Sequence, residues 1–184
     1  MTQDGMFKKL NLLHDLTFFS GALIQRYGGD TGHGWQGISY YSAHQSVVDK
    51  VLLTLPADYR SKFNVSLMII NQMELPAHTD DNILVSVNFY IETADAITKF
   101  YKVKTGQQAK TIKLENQDDG AIFDADCLDL VGEFKADKNE VWVLNVKKPH
   151  SVSCSTNSIR TGYCLQSSEV SYEQTLNITQ EKNT

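Results

Sequence analysis

His78 and Asp80 stand two residues apart in Leu75-Pro76-Ala77-His78-Thr79-Asp80. On an extended segment, residues i and i+2 project from the same face. The imidazole and the carboxylate therefore aim at one common point while Thr79 turns away. A neutral imidazole with a carboxylate is a hard-to-borderline donor pair, and a second imidazole with open coordination positions makes it the set that holds non-haem Fe(II). His150, in Lys148-Pro149-His150-Ser151-Val152, supplies that imidazole across a gap of 72 residues, room for several strands. Ten positions later comes Arg160, in Ile159-Arg160-Thr161-Gly162-Tyr163. Its guanidinium fork matches a carboxylate bidentately and stays charged at any relevant pH. Each residue alone has a plainer reading: Asp80 as a turn cap, the two His as satisfied histidines, Arg160 in a surface ion pair. Jointly they favour a metal, and zinc is compatible with the same three donors.

A His-x-Asp pair, a distal His and an Arg about ten residues beyond it resemble the Fe(II)/2-oxoglutarate-dependent dioxygenase superfamily, more loosely its small prolyl-hydroxylase-like and aspartyl-hydroxylase-like members, from about Asn64 to Gln166. The resemblance implies that His78, Asp80 and His150 hold Fe(II) and form the catalytic centre, and that Arg160 receives the distal carboxylate of 2-oxoglutarate. It implies O2 as cosubstrate, succinate and CO2 as products, and hydroxylation of a small molecule or of a protein or peptide side chain. The family often pairs the Arg with a hydroxyl or amide. Tyr90, Asn88 and Ser66 are candidates, Tyr90 first because a phenol reaches further. Asp81 reads as a solvated carboxylate or one that holds an imidazole N–H. Halogenating members carry a small residue where Asp80 stands, so halogenation is disfavoured. The rival reading is a cupin-like metal-binding protein without oxygenase activity, an isomerase or binding module, which would not need Arg160. A nucleic-acid demethylase should show a basic groove, and 17 Lys and Arg against 22 Asp and Glu do not advertise one.

The elements that must position these residues follow from pattern. A length of 184 residues suits one domain with a real core. No apolar run reaches the ~18 residues of a spanning helix, and Met1 to Leu10 does not read as a signal peptide. Cys127, Cys154 and Cys164 form no Cys-x-x-Cys and read as free thiols of a reducing cytosol. The expectation is a cytoplasmic protein. Phe7 to Tyr27 predicts a helix, with Leu10, Leu13, Leu16, Phe19, Leu23 and Ile24 at helical spacing. Gly28 to Gly34 reads as a loop. Ser42 to Gln45 reads as a capping box for a helix that buries Val47, Val48, Val51, Leu52 and Leu55 and ends at Pro56. Phe63 to Asn71 reads as a strand, as does Ile83 to Ile91, with Ile83, Val85, Val87 and Phe89 on an oily face and Ser86, Asn88 and Tyr90 opposite. Ile97 to Val103 and Ala109 to Leu114 are expected to form a hairpin around Thr105-Gly106. Short strands follow within Ile122 to Phe134, then Trp142 to Val146 and Ile159 to Gln166. Beyond Ser168 a polar tail is expected to fray.

At least seven strands after two helices predict a mainly β barrel. The resemblance names it as a double-stranded β-helix, a cupin-like jelly roll with N-terminal bracing helices. The expected organisation is one domain: a helical part over 1–60, a β core over about 63–167 and a tail over 168–184.

Overall fold

The computed structural model describes residues 5–27, 38–71, 74–80, 82–108, 111–113, 120–154 and 159–180. Thirteen strands and three α-helices lie among them. In chain order these are β1 (Phe7–Leu13), β2 (Ser20–Tyr27), β3 (Ile38–Ala43), α1 (Gln45–Leu52), α2 (Ala57–Arg60), β4 (Asn64–Ile70), β5 (Glu74–Thr79), β6 (Val85–Glu92) and β7 (Ile97–Val103). There follow β8 (Thr111–Lys113), β9 (Ala121–Phe123), β10 (Leu128–Lys135), β11 (Glu140–Leu144), β12 (His150–Ser153), β13 (Arg160–Ser167) and α3 (Tyr172–Gln180).

The strands form two antiparallel sheets. Sheet A has the order β1-β11-β6-β13-β4-β3-β2, and sheet B the order β10-β7-β12-β5-β9-β8. The pairings nest: β4 with β13, β5 with β12, β6 with β11 and β7 with β10. A long two-stranded ribbon, closed at β7–β10, winds so that successive strand pairs fall in alternate sheets. That is a double-stranded β-helix, and it was expected as such. β8 and β9 form an inserted hairpin on the β5 edge. β1 covers the free edge of β11, and β2 and β3 extend the sheet beyond β4.

Alternation along β6 sorts its side chains to two sides. Val85, Val87, Phe89 and Ile91 point outward into the largest apolar cluster, with Leu67, Val141, Val143, Tyr163 and Leu165. Val47, Val51 and Leu55 cover that layer from the α1 region, and Val170, Tyr172 and Ile178 from around α3. The main core thus lies between sheet A and its helices. The inner face of sheet A is left to polar and mixed residues, and these line a cavity between the sheets.

Four expectations are corrected. Phe7 to Tyr27 holds β1 and β2 instead of a helix. The spacing of three picks out no common face: Leu10 and Leu16 are buried, but Leu13, Phe19 and Ile24 are exposed. The backbone of β1 pairs with β11, and this long-range partner overrides the local pattern. Lys9 also pairs with the buried Glu140, which accepts from Trp142 Nε1 as well. Among its described residues the part over 1–60 therefore holds three strands and two short helices. Second, the helix after Ser42 starts later, with His44 as N-cap accepting from Ser46 N–H through Nδ1, and it ends at Leu52; Pro56 instead precedes α2. Third, β7 pairs with β10 and β12, and β8, the described part of the expected partner strand, pairs with β9. Fourth, the expected tail contains α3, whose Tyr172 and Ile178 are buried. The loop from Gly28 to Gly34 lies outside the described residues. No helix among the described residues is long and apolar enough to cross a membrane.

Candidate metal centre

Register brings the two imidazoles together. His150 opens β12 and is the direct cross-strand partner of His78 on β5. Their rings lie 4.3 Å apart, and His150 stacks on Phe100 of β7 at 5.5 Å and 22°. Asp80 follows the end of β5. Its N–H donates to Val146 O (3.0 Å) and its carbonyl accepts from Lys147 Nζ (3.3 Å), which ties it to the β11–β12 connection.

The tautomers are set by the backbone. His78 Nδ1 lies 2.8 Å from Pro76 O, and His150 Nδ1 lies 3.0 Å from Lys148 O. A carbonyl only accepts, so each ring donates from Nδ1, and in a neutral ring Nε2 then carries a lone pair. Both Nε2 atoms sit 3.6 Å from the same Asp80 oxygen, Oδ1. Burial holds the His78 pKa well below its ordinary value; the His150 charge adds to this, and the bond to Pro76 opposes it. His78 is therefore neutral. Burial pushes the Asp80 pKa up, against the pull of His150 and Lys147.

Three electron-pair donors thus converge with their donor atoms within 4.8 Å of one another. Nitrogen lone pairs facing a carboxylate oxygen gain nothing from each other, whereas a cation between them satisfies all three. With metal–ligand bonds of ~2.1 Å, adjacent donors lie ~3.0 Å apart around an octahedral ion and ~3.4 Å around a tetrahedral one. The observed nitrogen–oxygen spacing of 3.6 Å exceeds the tetrahedral one by ~0.2 Å and the octahedral one by ~0.6 Å. The donor set fits a divalent first-row metal, and the carbonyl bonds at Nδ1 are the outer contacts that such histidine ligands use.

The opposite wall belongs to sheet A. Along its inner face, cross-strand rows run Ile38–Ile70–Arg160 and Tyr40–Met68–Gly162–Tyr90. Cys164 and Gln166 of β13 and Ser86 and Asn88 of β6 continue the lining. The space between the two walls, with the open solvent at its mouth, is about 480 Å³. Arg160 is 3% exposed. Its guanidinium lies 4.5 Å from the Tyr90 ring centroid, and its Nη1 donates to Thr98 Oγ1 (3.0 Å) on β7, across the gap between sheets. Its Nε is buried with no hydrogen-bond partner, and no carboxylate pairs with it among the described residues. A chain of donors runs beside it: Ser86 Oγ to Asn88 Oδ1 (2.7 Å), then Asn88 Nδ2 to Tyr90 OH (3.3 Å). That leaves the Tyr90 hydroxyl proton free to be donated.

His78, Asp80, His150, Arg160, Tyr90 and Asn88 all line this one cavity. Ser66, the third candidate beside Arg160, is absent from the lining, although it is the cross-strand partner of Cys164. Asp81 lies outside the described residues. Tyr40 lines the cavity from β3, whereas Tyr41 packs against the outer core. Trp142 stacks on Phe134 at 3.9 Å and 11°. Thr98 went unread in the sequence. Its signal was a Thr at the same strand parity as Phe100, both buried, and therefore turned inward. Cys154 follows β12 of sheet B and Cys164 lies on β13 of sheet A, and neither forms a disulfide. Burial pushes the Cys164 thiol up to about 12, so it stays protonated.

No family model matches the chain, and no curated protein does. Among solved structures the chain is similar to vicilin from Corylus avellana, at 12% identity and a TM-score of 0.41, over 72% of this chain and 29% of that one. It is similar to vicilin from Capsicum annuum, at 11% identity and 0.41, over 76% and 30%. A mutant of Bacillus subtilis oxalate decarboxylase gives 9% identity and 0.37, over 78% and 28%. The chain thus spans less than a third of the length of each. The assignment of the β-helix rests on the nested strand pairing, and that of the metal site on its donor atoms.

Proposed function

We propose that the protein is a non-haem Fe(II)- and 2-oxoglutarate-dependent dioxygenase that hydroxylates a small molecule or a peptide side chain. The observation that carries this reading is Arg160. A buried guanidinium without a carboxylate is costly, and this one faces the same cavity as the metal donors. An anionic ligand that also reaches the metal offsets both deficits, and a 2-oxo diacid has that shape: a chelating end and a distal carboxylate. His78, Asp80 and His150 would hold the ion, and the diacid and O2 would be its other partners. When bound, iron supplies the oxidative chemistry that converts 2-oxoglutarate to succinate and CO2 and delivers oxygen to the substrate.

The chain's own residues bind, orient and exclude water. Arg160 receives the distal carboxylate through Nε and the fork, the Tyr90 ring supports the guanidinium from below, and Thr98 fixes its direction. Tyr90 donates its hydroxyl proton to the same carboxylate, with Asn88 holding the phenol oxygen. Ile38, Ile70 and Val152 shield the diacid's methylenes. With Arg160 so used, no second charged side chain outside the metal set lines the cavity among the described residues.

The test is anaerobic. Fe(II) and 2-oxoglutarate added to the protein should produce a weak visible charge-transfer band, and Arg160→Ala should weaken diacid binding at least tenfold while retaining the metal. Metal binding with no band, and with no difference between wild type and Arg160→Ala, would instead establish a cupin-like metal protein without oxygenase activity.

A further inference from the structure

We propose that the protein associates with a second copy of itself through the outer side of sheet A, where the strap from His14 to Phe19 runs beside α1. The inference is independent of the function proposed above, because no residue of the cavity takes part. Seven large apolar side chains stand exposed among the described residues, and five of them belong to this region: Leu13, Phe18, Phe19, Ile24 and Leu53. Two contacts join the strap to the helix. Lys50 Nζ lies 3.8 Å from Asp15 Oδ1, and the Phe19 ring lies 6.1 Å from that of His44, the N-cap. From below, the Tyr163 hydroxyl donates to Thr17 O (3.0 Å) and accepts from Phe19 N–H (3.1 Å), and Leu16 is buried in the outer core. The strap is thus fixed to β13, and its apolar side chains are held outward on a firm support. Apolar side chains gathered in this way mark a contact surface.

The surface is complementary to itself. Leu13 (73% exposed) and Leu53 (55% exposed) stand at the lips of two adjoining hollows of about 580 and 680 Å³, open solvent at their mouths included. The hollows share Leu12, Lys50, Leu53 and Thr54, and Phe89 and Val87 of β6 form part of their walls. Projecting side chains and the spaces to receive them therefore lie on one face. So do a cation and an anion. Lys50 and Asp15 are both largely exposed, and together they make a locally neutral spot on a chain of net charge −5. A two-fold contact brings the same patch of each copy together, so that residue i meets j and j meets i. Here it sets Lys50 of each copy against Asp15 of the other, and leucines against hollows. Side chains make this contact, and strand addition does not. β2 is the edge of sheet A beside the patch, but its pairing with β3 shifts register twice, a bend that discourages a further strand.

Sedimentation velocity of the full chain over a concentration series at low salt tests this. Wild type is expected to pass from one chain to two as concentration rises. Leu13→Glu and Leu53→Glu, both at exposed positions, should each weaken association roughly tenfold or more, with the melting temperature of the dilute single chain unchanged. Lys50→Glu and Asp15→Lys each set like charges across the two-fold axis and should weaken it by a similar factor. An equimolar mixture of those two variants restores opposite charges at both contacts, and association should return close to the wild-type level. Only a contact between two copies of this patch gives that recovery. A wild type that stays a single chain at every concentration overturns the inference, and flotation of that chain with phosphatidylcholine vesicles would give the patch to a membrane instead. A dimer that none of the four variants weakens, or a mixture that fails to recover, overturns it as well.

Discussion

Arg160 is a cation with two incomplete satisfactions, a ring face and one hydroxyl, and is itself 3% exposed. A group kept in that condition serves a ligand at the expense of stability. Arg160→Met removes the desolvated charge and keeps most of the packing volume. The variant should therefore melt higher than wild type when neither metal nor diacid is present, by on the order of 1 kcal/mol, about 2–4 °C for a chain of this size. The same variant should lose the stabilisation that 2-oxoglutarate gives the metal-loaded wild type. A melting temperature lowered by several degrees would show that Arg160 is a structural pillar instead. At the triad, His78 and Asp80 oppose each other in their dependence on pH. The His78 pKa is lower folded than its ordinary 6.5. Between the two values the unfolded chain binds a proton that the native state does not, so this contribution is full above about pH 6.5 and is lost as pH falls. The Asp80 pKa is raised above 3.8, so its contribution runs the other way, falling as pH rises above about 3.8.

At the scale of the element, β13 carries both walls' requirements. Its Arg160 must face inward while its Tyr163 and Leu165 pack outward, and the pairing with β6 shifts register between Thr161 and Gly162. A Cβ on Gly162 would meet Phe89 O of β6 at 2.8 Å, a backbone atom that cannot swing aside. Gly162→Ala should therefore push β13 from β6 and cost about 1–3 kcal/mol. Because Arg160 lies two residues away on the same strand, diacid affinity should fall in the same variant. Denaturant unfolding and titration of the metal-loaded protein with 2-oxoglutarate check the two effects, and unchanged stability would mean that the strands separate freely here. The sequence presents this glycine only as part of Arg-Thr-Gly-Tyr. The need for it comes from a strand more than seventy residues earlier.

For the whole molecule, the candidate metal site joins parts of the chain that meet only once the β-helix is wound. His78 and His150 belong to paired strands of sheet B, and Asp80 is held by the β11–β12 connection. A metal bound there stabilises the native state by RT ln(1 + [M]/Kd), about 2.7 kcal/mol at a hundredfold excess over Kd. Divalent metal should raise the melting temperature and a chelator should reverse it. Binding needs Asp80 ionised and both imidazoles neutral, so at fixed free metal the increment should be level above about pH 7 and shrink as pH falls toward 5. Thermal shift across that range measures it, and an increment that grows on acidification would exclude these three residues as the ligands.

What the chain's order of residues determined by itself was local: a His and an Asp sharing one face of an extended segment, an oily and a polar side to β6, a helix built on Val47 and Val51. These follow from periods of two and 3.6, which need no partner to be read. The distal His150 and Arg160 were legible as residue types at a spacing. Tertiary structure decided the rest, because strand pairing joins residues far apart in the chain and local pattern does not encode the partner. It turned Phe7–Leu13 into a strand against β11, gave β7 to β10 instead of its neighbour, and placed α3 against the outer core. Only the packed sheets could show that Arg160 is buried with a bare Nε, opposite a carboxylate flanked by two lone-pair nitrogens.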